Sequence, residues 1–191
     1  GGKANRGSIK NRVSIDKRPD IVDTQQRIGD WEGDTVIGRN HKRPLATFVE
    51  RKCLYTTAEF MEDKRASSLN AAALRAFAHV PATALETLTV DNGKEFAKHE
   101  QLAQALDTAI YFAHPYSSNE RAVNENTNGL IRQYLPKGTD FTKVPDKQLK
   151  ESIEKLNNRP RAKLAFRTPK EVLESFTGAL QVRNRRFALC G

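Results

Sequence analysis

Three carboxylates in this chain have the type and spacing to do chemistry together. Asp34 follows Trp31-Glu32-Gly33, Asp91 opens Asp91-Asn92-Gly93, and Glu125 comes after a gap of 33 residues. Ionised carboxylates cannot share a small site unless something offsets their repulsion. A divalent cation does that, and hard oxygen ligands favour magnesium or manganese. Two such ions about 3.5–4 Å apart can activate an attacking oxygen and stabilise a leaving one in phosphoryl transfer.

Each residue also has a plainer explanation. Asp34 reads alone as a solvated strand residue, Asp91-Asn92-Gly93 as a hairpin turn, and Glu125 as an exposed helical glutamate. Gly33 beside Asp34, and a helical pattern rather than a strand after Gly93, weigh toward a shared site. His114 lies close to the segment bearing Glu125 and is read as an active-site neighbour. His41, His79 and His99 are scattered without zinc-ligand spacing. No glycine-rich phosphate loop appears.

The elements that must position these groups follow from periodicity. Residues 113–135 read as a turn at His114-Pro115 and then one helix, with Ser117-Ser118-Asn119 able to cap its start. Val123, Thr127, Leu130, Ile131 and Tyr134 form its buried stripe, and Pro136 and Gly138 end it. Glu125 lies off that stripe and shares a face with Arg121, Asn128 and Arg132. Strands are expected at 30–38, 45–50, 54–61, 85–90 and 109–112, and helices at 67–78, 96–106, 146–157 and from the Thr168-Pro169-Lys170-Glu171 capping box to about Ser175. Residues 182–189 read as basic and extended.

The resulting order, βββαβαβα followed by further helices, is that of an α/β ribonuclease H-like fold with a mixed five-stranded sheet flanked by helices. A ferredoxin-like domain would need a helix between the first two strands. In this order the first and fourth strands are neighbours, so Asp34, Asp91 and Glu125 can converge. Three regions are expected: a basic extended lead-in at 1–29, the catalytic domain at 30–157, and a basic C-terminal helix and tail at 158–191.

The formal net charge of +9 is carried by the ends. Residues 1–20 hold six Lys/Arg against two Asp, and 157–191 hold eight against two Glu, which leaves the middle near neutral. Basic arms around a neutral core fit a polyanionic partner, and nucleic acid is the expected one. No apolar run reaches the length of a membrane span, and no signal peptide opens the chain. Cys53 and Cys190 have no CxxC context and read as reduced thiols of a cytoplasmic protein. Gly1-Gly2 reads as a remnant or a cut end.

Residues 28–35 (IGDWEGDT), 91–96 (DNGKEF), 114–118 (HPYSS) and 124–132 (NENTNGLIR) resemble the bacterial insertion-sequence transposases of the IS-thirty family. Asn157-Asn158-Arg159-Pro160-Arg161 with Thr168-Pro169 is similar to a later segment of that family, and the likeness runs from about Arg6 to about Phe176. The resemblance implies a DDE catalytic core in the ribonuclease H-like superfamily. Asp34, Asp91 and Glu125 match its acidic triad, with two magnesium or manganese ions expected in the DNA-bound state. Arg132 matches the basic residue placed against DNA at the active site. Lys94, Arg121 and Asn128 are further expected DNA contacts, and Asn92 and Asn124, with Asn128, are expected to orient ligands or bases. The implied partners are transposon ends and a target duplex, with a homo-oligomer, a dimer, acting on them in the cytoplasm.

Two positions depart from the family pattern. Asn119-Glu120-Arg121-Ala122 stands where members carry Trp-Glu-Arg-Gly. Asn119 lacks the stacking surface of tryptophan, and Ala122 in a helix is stabilising by up to about 1 kcal/mol over glycine. The family's helix-turn-helix region before the core is not part of this chain, so an isolated catalytic fragment is expected. A metal-dependent nuclease without strand transfer, and a non-catalytic DNA-binding regulator derived from a transposase, are the alternative expectations.

Overall fold

Glycines and polar turns divide the first sixty residues into β1 (Asp30–Val36), β2 (Leu45–Glu50) and β3 (Thr56–Phe60), which pair as an antiparallel meander. The computed structural model describes residues 9–189. β4 (Thr87–Val90) pairs parallel to β1, and β5 (Ala109–Phe112) parallel to β4, giving the sheet order β3-β2-β1-β4-β5. With α2 (Ala66–Phe77), α3 (His99–Leu106), α4 (Ala122–Ile131) and α5 (Asp146–Asn157), this is the expected βββαβαβα order with a further helix, and a mixed five-stranded sheet.

β1 is the central strand, and its two faces bury different things. Trp31 packs with Phe48 and Leu88 against Leu69, Ala72, Ala76 and Phe77 of α2. Its indole Nε1 donates to the Ala84 carbonyl at 2.7 Å, so the ring's one polar atom is satisfied inside the core. On the opposite face Val36 joins Leu45, Ala58 and Phe60 against Ile131, Leu149, Ile153 and Leu156. The sheet therefore has helices on both sides, and Glu32 and Asp34 point toward the side covered by α4 and α5.

Four readings of the sequence need correction. The lead-in is more than extended chain. Past residue 8 it forms a 3-10 turn (Ile15–Lys17) and one helical turn, α1 (Ile21–Thr24), and Ser14 bridges to Phe112 of β5. Val22 and Arg18 are buried there, and Arg18 Nη1 donates to Thr89 Oγ1 at 2.9 Å, so the segment caps the β5 edge of the sheet. The last helix, α6 (Pro169–Leu189), continues through the residues read as extended. Its start matches expectation: Thr168 and Glu171 exchange side-chain-to-backbone hydrogen bonds at 2.8 and 3.1 Å. The helix expected from Phe96 begins at His99, after a 3-10 turn (Lys94–Phe96).

The fourth correction concerns α4. No side chain of Ser117 or Arg121 caps it. Instead Glu32, reaching up from β1, accepts the Asn124 backbone N–H at 2.7 Å. Of the expected stripe, Thr127 and Ile131 are buried, Leu130 and Tyr134 pack half-buried against the core, and Val123 is half-buried, while Asn124 joins the buried face. Cys53 is free and buried; Gly1, Gly2 and Cys190 lie outside the described residues. Among the described residues, no helix is long and apolar enough to cross a membrane.

Candidate active site

The parallel register of β1 and β4 pairs Glu32 with Thr89. Two residues further along each chain stand Asp34 and Asp91, side by side at the end of β4. Asp34 Oδ1 accepts the Thr35 backbone N–H at 2.8 Å, and Asp91 Oδ1 accepts that of Gly93 at 2.8 Å. Between them lies Arg121, with Nη1 3.5 Å from Asp34 and Nη2 3.8 Å from Asp91. Asn128, two turns further along the same helix face, donates from Nδ2 to Asp34 Oδ2 at 3.0 Å and accepts from Thr47 Oγ1 at 2.9 Å.

Burial raises the Asp34 pKa above the usual carboxylate value, and the Asp91 charge adds to that; Arg121 and the Thr35 N–H pull it back. Two acids at adjacent strand positions thus draw on one cationic side chain. Hard oxygen donors that already share a positive charge fit a divalent cation.

Glu125 lies one turn past Arg121 and just before Asn128 in turn order, on the helix face that reaches Asp34. It is exposed. Among the described residues no three His, Cys, Asp or Glu side chains gather closely enough to hold a metal. The structure therefore brings two of the three expected carboxylates together and leaves the third exposed on α4. One guanidinium offsets part of the charge of the pair, and a third carboxylate beside them would add repulsion.

The other expected site residues divide. Lys94 is exposed on the turn after Asp91. Asn92 Nδ2 donates to the Ala113 carbonyl at 2.7 Å, and its Oδ1 accepts from Arg12, which ties the loop after β4 to the lead-in. His114 faces two carboxylates, Glu120 at 2.7 Å from Nδ1 and Asp16 at 3.1 Å from Nε2. Asn124 is buried and donates to the Glu32 carbonyl at 3.0 Å, so it fastens α4 to β1 and does not face the cleft. Arg132 gives Nη2 to the Ile37 carbonyl at 2.9 Å and Nη1 to the Leu135 and Pro136 carbonyls at 3.4 Å. Its hydrogen bonds go to carbonyls around the end of the helix, and burial lowers its pKa. Asn119 and Ala122 are both exposed at the start of α4.

Two residues that sequence reasoning passed over matter here. Glu32 is the buried acid that caps α4. Glu95 reaches back from the 3-10 turn so that Thr35 Oγ1 donates to its Oε1 at 2.7 Å, which ties the Asp91 loop to the strand bearing Asp34. A Cβ on Gly93 would stand 2.6–2.8 Å from the Glu95 carboxylate, so a larger residue there would push that side chain aside. The signal for Glu95 was its place in Asp91-Asn92-Gly93-Lys94-Glu95, and for Glu32 its shared strand face with Asp34.

Residues 24–118 match the family model described as an integrase core domain. The chain is 49% identical over 168 residues to the transposase for insertion sequence element IS4351 of Bacteroides fragilis, covering 88% of this chain and 51% of that protein. It is 39% identical over 174 residues to transposase InsI for insertion sequence element IS30A of Escherichia coli (strain K12), covering 90% of this chain and 45% of the relative. The chain belongs to the integrase-core family of insertion-sequence transposases.

It spans about half the length of the curated relatives it matches. The family's fold extends to viral proteins at low identity. The catalytic core domain of BIV integrase superimposes with a TM-score of 0.63 at 19% identity, over 81% of this chain and 99% of that one. The HTLV-2 integrase catalytic core domain, in a structure described as in complex with magnesium, gives 0.59 at 16% identity over 76% and 95%. The matched segment contains Asp34 and Asp91 and stops before α4, which bears Glu125.

Proposed function

We propose that this chain is the catalytic domain of a DDE transposase, which frees a 3′-OH at an element's end and joins it to a target strand. The observation that carries the reading is the pair Asp34 and Asp91, two carboxylates on neighbouring parallel strands that converge on one cation. Asp34, Asp91 and Glu125 would hold magnesium or manganese, which when bound supplies Lewis acidity to an attacking and a leaving phosphate oxygen. Asn128 fixes the Asp34 carboxylate from above, and the Glu95–Thr35 bond fixes the loop of Asp91 against β1. Glu125 is exposed one turn from Arg121 and from Asn128, which both contact Asp34.

Lys94 and Arg121 supply phosphate contacts at this cleft, and the basic ends of the chain add sequence-independent attraction for DNA. Arg132 supports the site by holding the end of α4 against β1. A homo-oligomer acting on paired DNA ends is the working assembly; one structural neighbour is described as part of an intasome and another as dimeric.

The test is Asp91→Asn and Glu125→Gln in the full-length protein, assayed on end-containing DNA and on a pre-nicked end with a target duplex. Cleavage and joining should both fall by about three orders of magnitude, the loss expected when several kcal/mol of metal-borne stabilisation is removed. Unchanged cleavage contradicts the assignment, and shortened products without joined ones reduce the activity to hydrolysis.

A further inference from the structure

Arg121 is held loosely for a buried cation between two acids. Its contacts to Asp34 and Asp91 are 3.5 and 3.8 Å, and its approach to the Gly33 carbonyl is 3.5 Å. Charge-assisted hydrogen bonds of this kind ordinarily close to about 2.7–2.9 Å. Arg27 on Asp30 shows that geometry in the same molecule, a two-pronged contact at 2.8 and 2.8 Å. The Nε of Arg121 is buried and has no hydrogen-bond partner. The guanidinium thus sits between the carboxylates through charge and is locked to neither.

Its position explains why it is there. Asp34 and Asp91 stand at adjacent positions of parallel strands, and side by side they repel unless a cation is present. Arg121 is the last residue of the 3-10 turn Ser118–Arg121 and the residue immediately before α4, with φ −128° and ψ 39°. That junction is where a small backbone change swings a side chain without unpacking the helix, whose own anchor is the bond of Asn124 to Glu32.

We propose that Arg121 is the resident counter-cation of the Asp34–Asp91 pair, that a divalent metal ion displaces it, and that it thereby sets the metal affinity of the site. This rests on the reading of the two aspartates as metal ligands. Guanidinium and metal compete for the same carboxylate oxygens, so the side chain keeps the acids together when no metal is present and weakens metal binding by the same interaction. It is a positioning residue acting through Asp34 and Asp91.

The experiment is calorimetric titration of the whole chain with Mn2+, comparing wild type with Arg121→Gln and Arg121→Lys, each checked for fold by circular dichroism. Removing one positive charge about 4 Å from the ion should tighten Mn2+ binding by about tenfold or more. Arg121→Lys should tighten it less, because one ammonium cannot span both carboxylates. The metal-free Arg121→Gln protein should melt lower than wild type, and Mn2+ should remove that difference. If Arg121→Gln does not fold, the lysine variant decides: tighter binding supports the proposal and unchanged or weaker binding overturns it. Wild type and Arg121→Gln binding Mn2+ equally also overturns it while leaving the metal-ligand reading intact. No Mn2+ binding by any of the proteins overturns both.

Discussion

Glu32 and Asp34 lie two residues apart on one face of one strand, and their surroundings make them different groups. Glu32 is fully buried; one oxygen accepts the Asn124 N–H and the other faces Arg51 Nε at 3.1 Å. Asp34 keeps about a quarter of its side chain exposed, and the one cation paired with it among the described residues stands 3.5 Å away. Burial raises both pKa values, so both carboxylates carry a desolvation cost. Glu32 offsets it with a buried backbone N–H and the nearby charge of Arg51, and Asp34 with partners at the open end of the strand. Where a helix covers the strand an acid becomes an anchor; where the cover ends, the same residue type remains available for chemistry.

Removing the anchor should have the largest effect on stability. Glu32→Ala leaves the buried Arg51 with only the exposed Asp23 at 3.7 Å and uncaps α4, and should cost roughly 3–5 kcal/mol. Asp34→Asn should stay within about 1 kcal/mol, because the native site already disfavours the charged form. Urea denaturation followed by Trp31 fluorescence reads both. Equal losses would erase the distinction drawn between the two acids.

Asn128 joins the two regions, since it touches Asp34 and Thr47 together. Asn128→Ala should lose about 1–2 kcal/mol for two side-chain hydrogen bonds. It should also slow metal-dependent cleavage while Mn2+ still binds, because Asp34 keeps its charge and loses its orientation. Full cleavage activity in that variant would show that Asp34 is positioned by the strand alone.

The smallest effect belongs to His114, at the edge of the cleft. Only an imidazolium can donate to Glu120 and Asp16 at once, and these bonds raise its pKa above the ordinary 6.5. The folded value lies above the unfolded one, so the stabilisation is fully present below about pH 6.5 and fades as pH rises through the folded value. An NMR titration should place the midpoint above 6.5 and show it falling in Glu120→Gln. An unchanged midpoint in that variant removes the clamp.

Much of this was legible in the sequence, for stated reasons. Period-two alternation fixed the faces of β1, and β2, β5 and α5 fall where their apolar patterns place them. The capping box marked the start of α6. The pairing of Asp34 with Asp91 follows from strand order alone. What could not be read was long-range satisfaction of polar groups. Glu32 caps a helix 92 residues away, so its shared strand face with Asp34 does not reveal that role, and Asn124 reads as a cleft residue until that bond is known. Arg132 looks free for phosphate because its backbone acceptors lie at Ile37 and past the helix end. The gathering of all three acids was expected from their number and spacing; Asp34 and Asp91 meet at Arg121, and Glu125 is exposed on α4.

Anomalous diffraction from crystals soaked in Mn2+ tests the central claim most directly. The account predicts a manganese peak about 2.0–2.2 Å from carboxylate oxygens of both Asp34 and Asp91, with Arg121 withdrawn from between them. A peak that touches neither aspartate, or no peak while Arg121 keeps its place in metal-saturated protein, would contradict it.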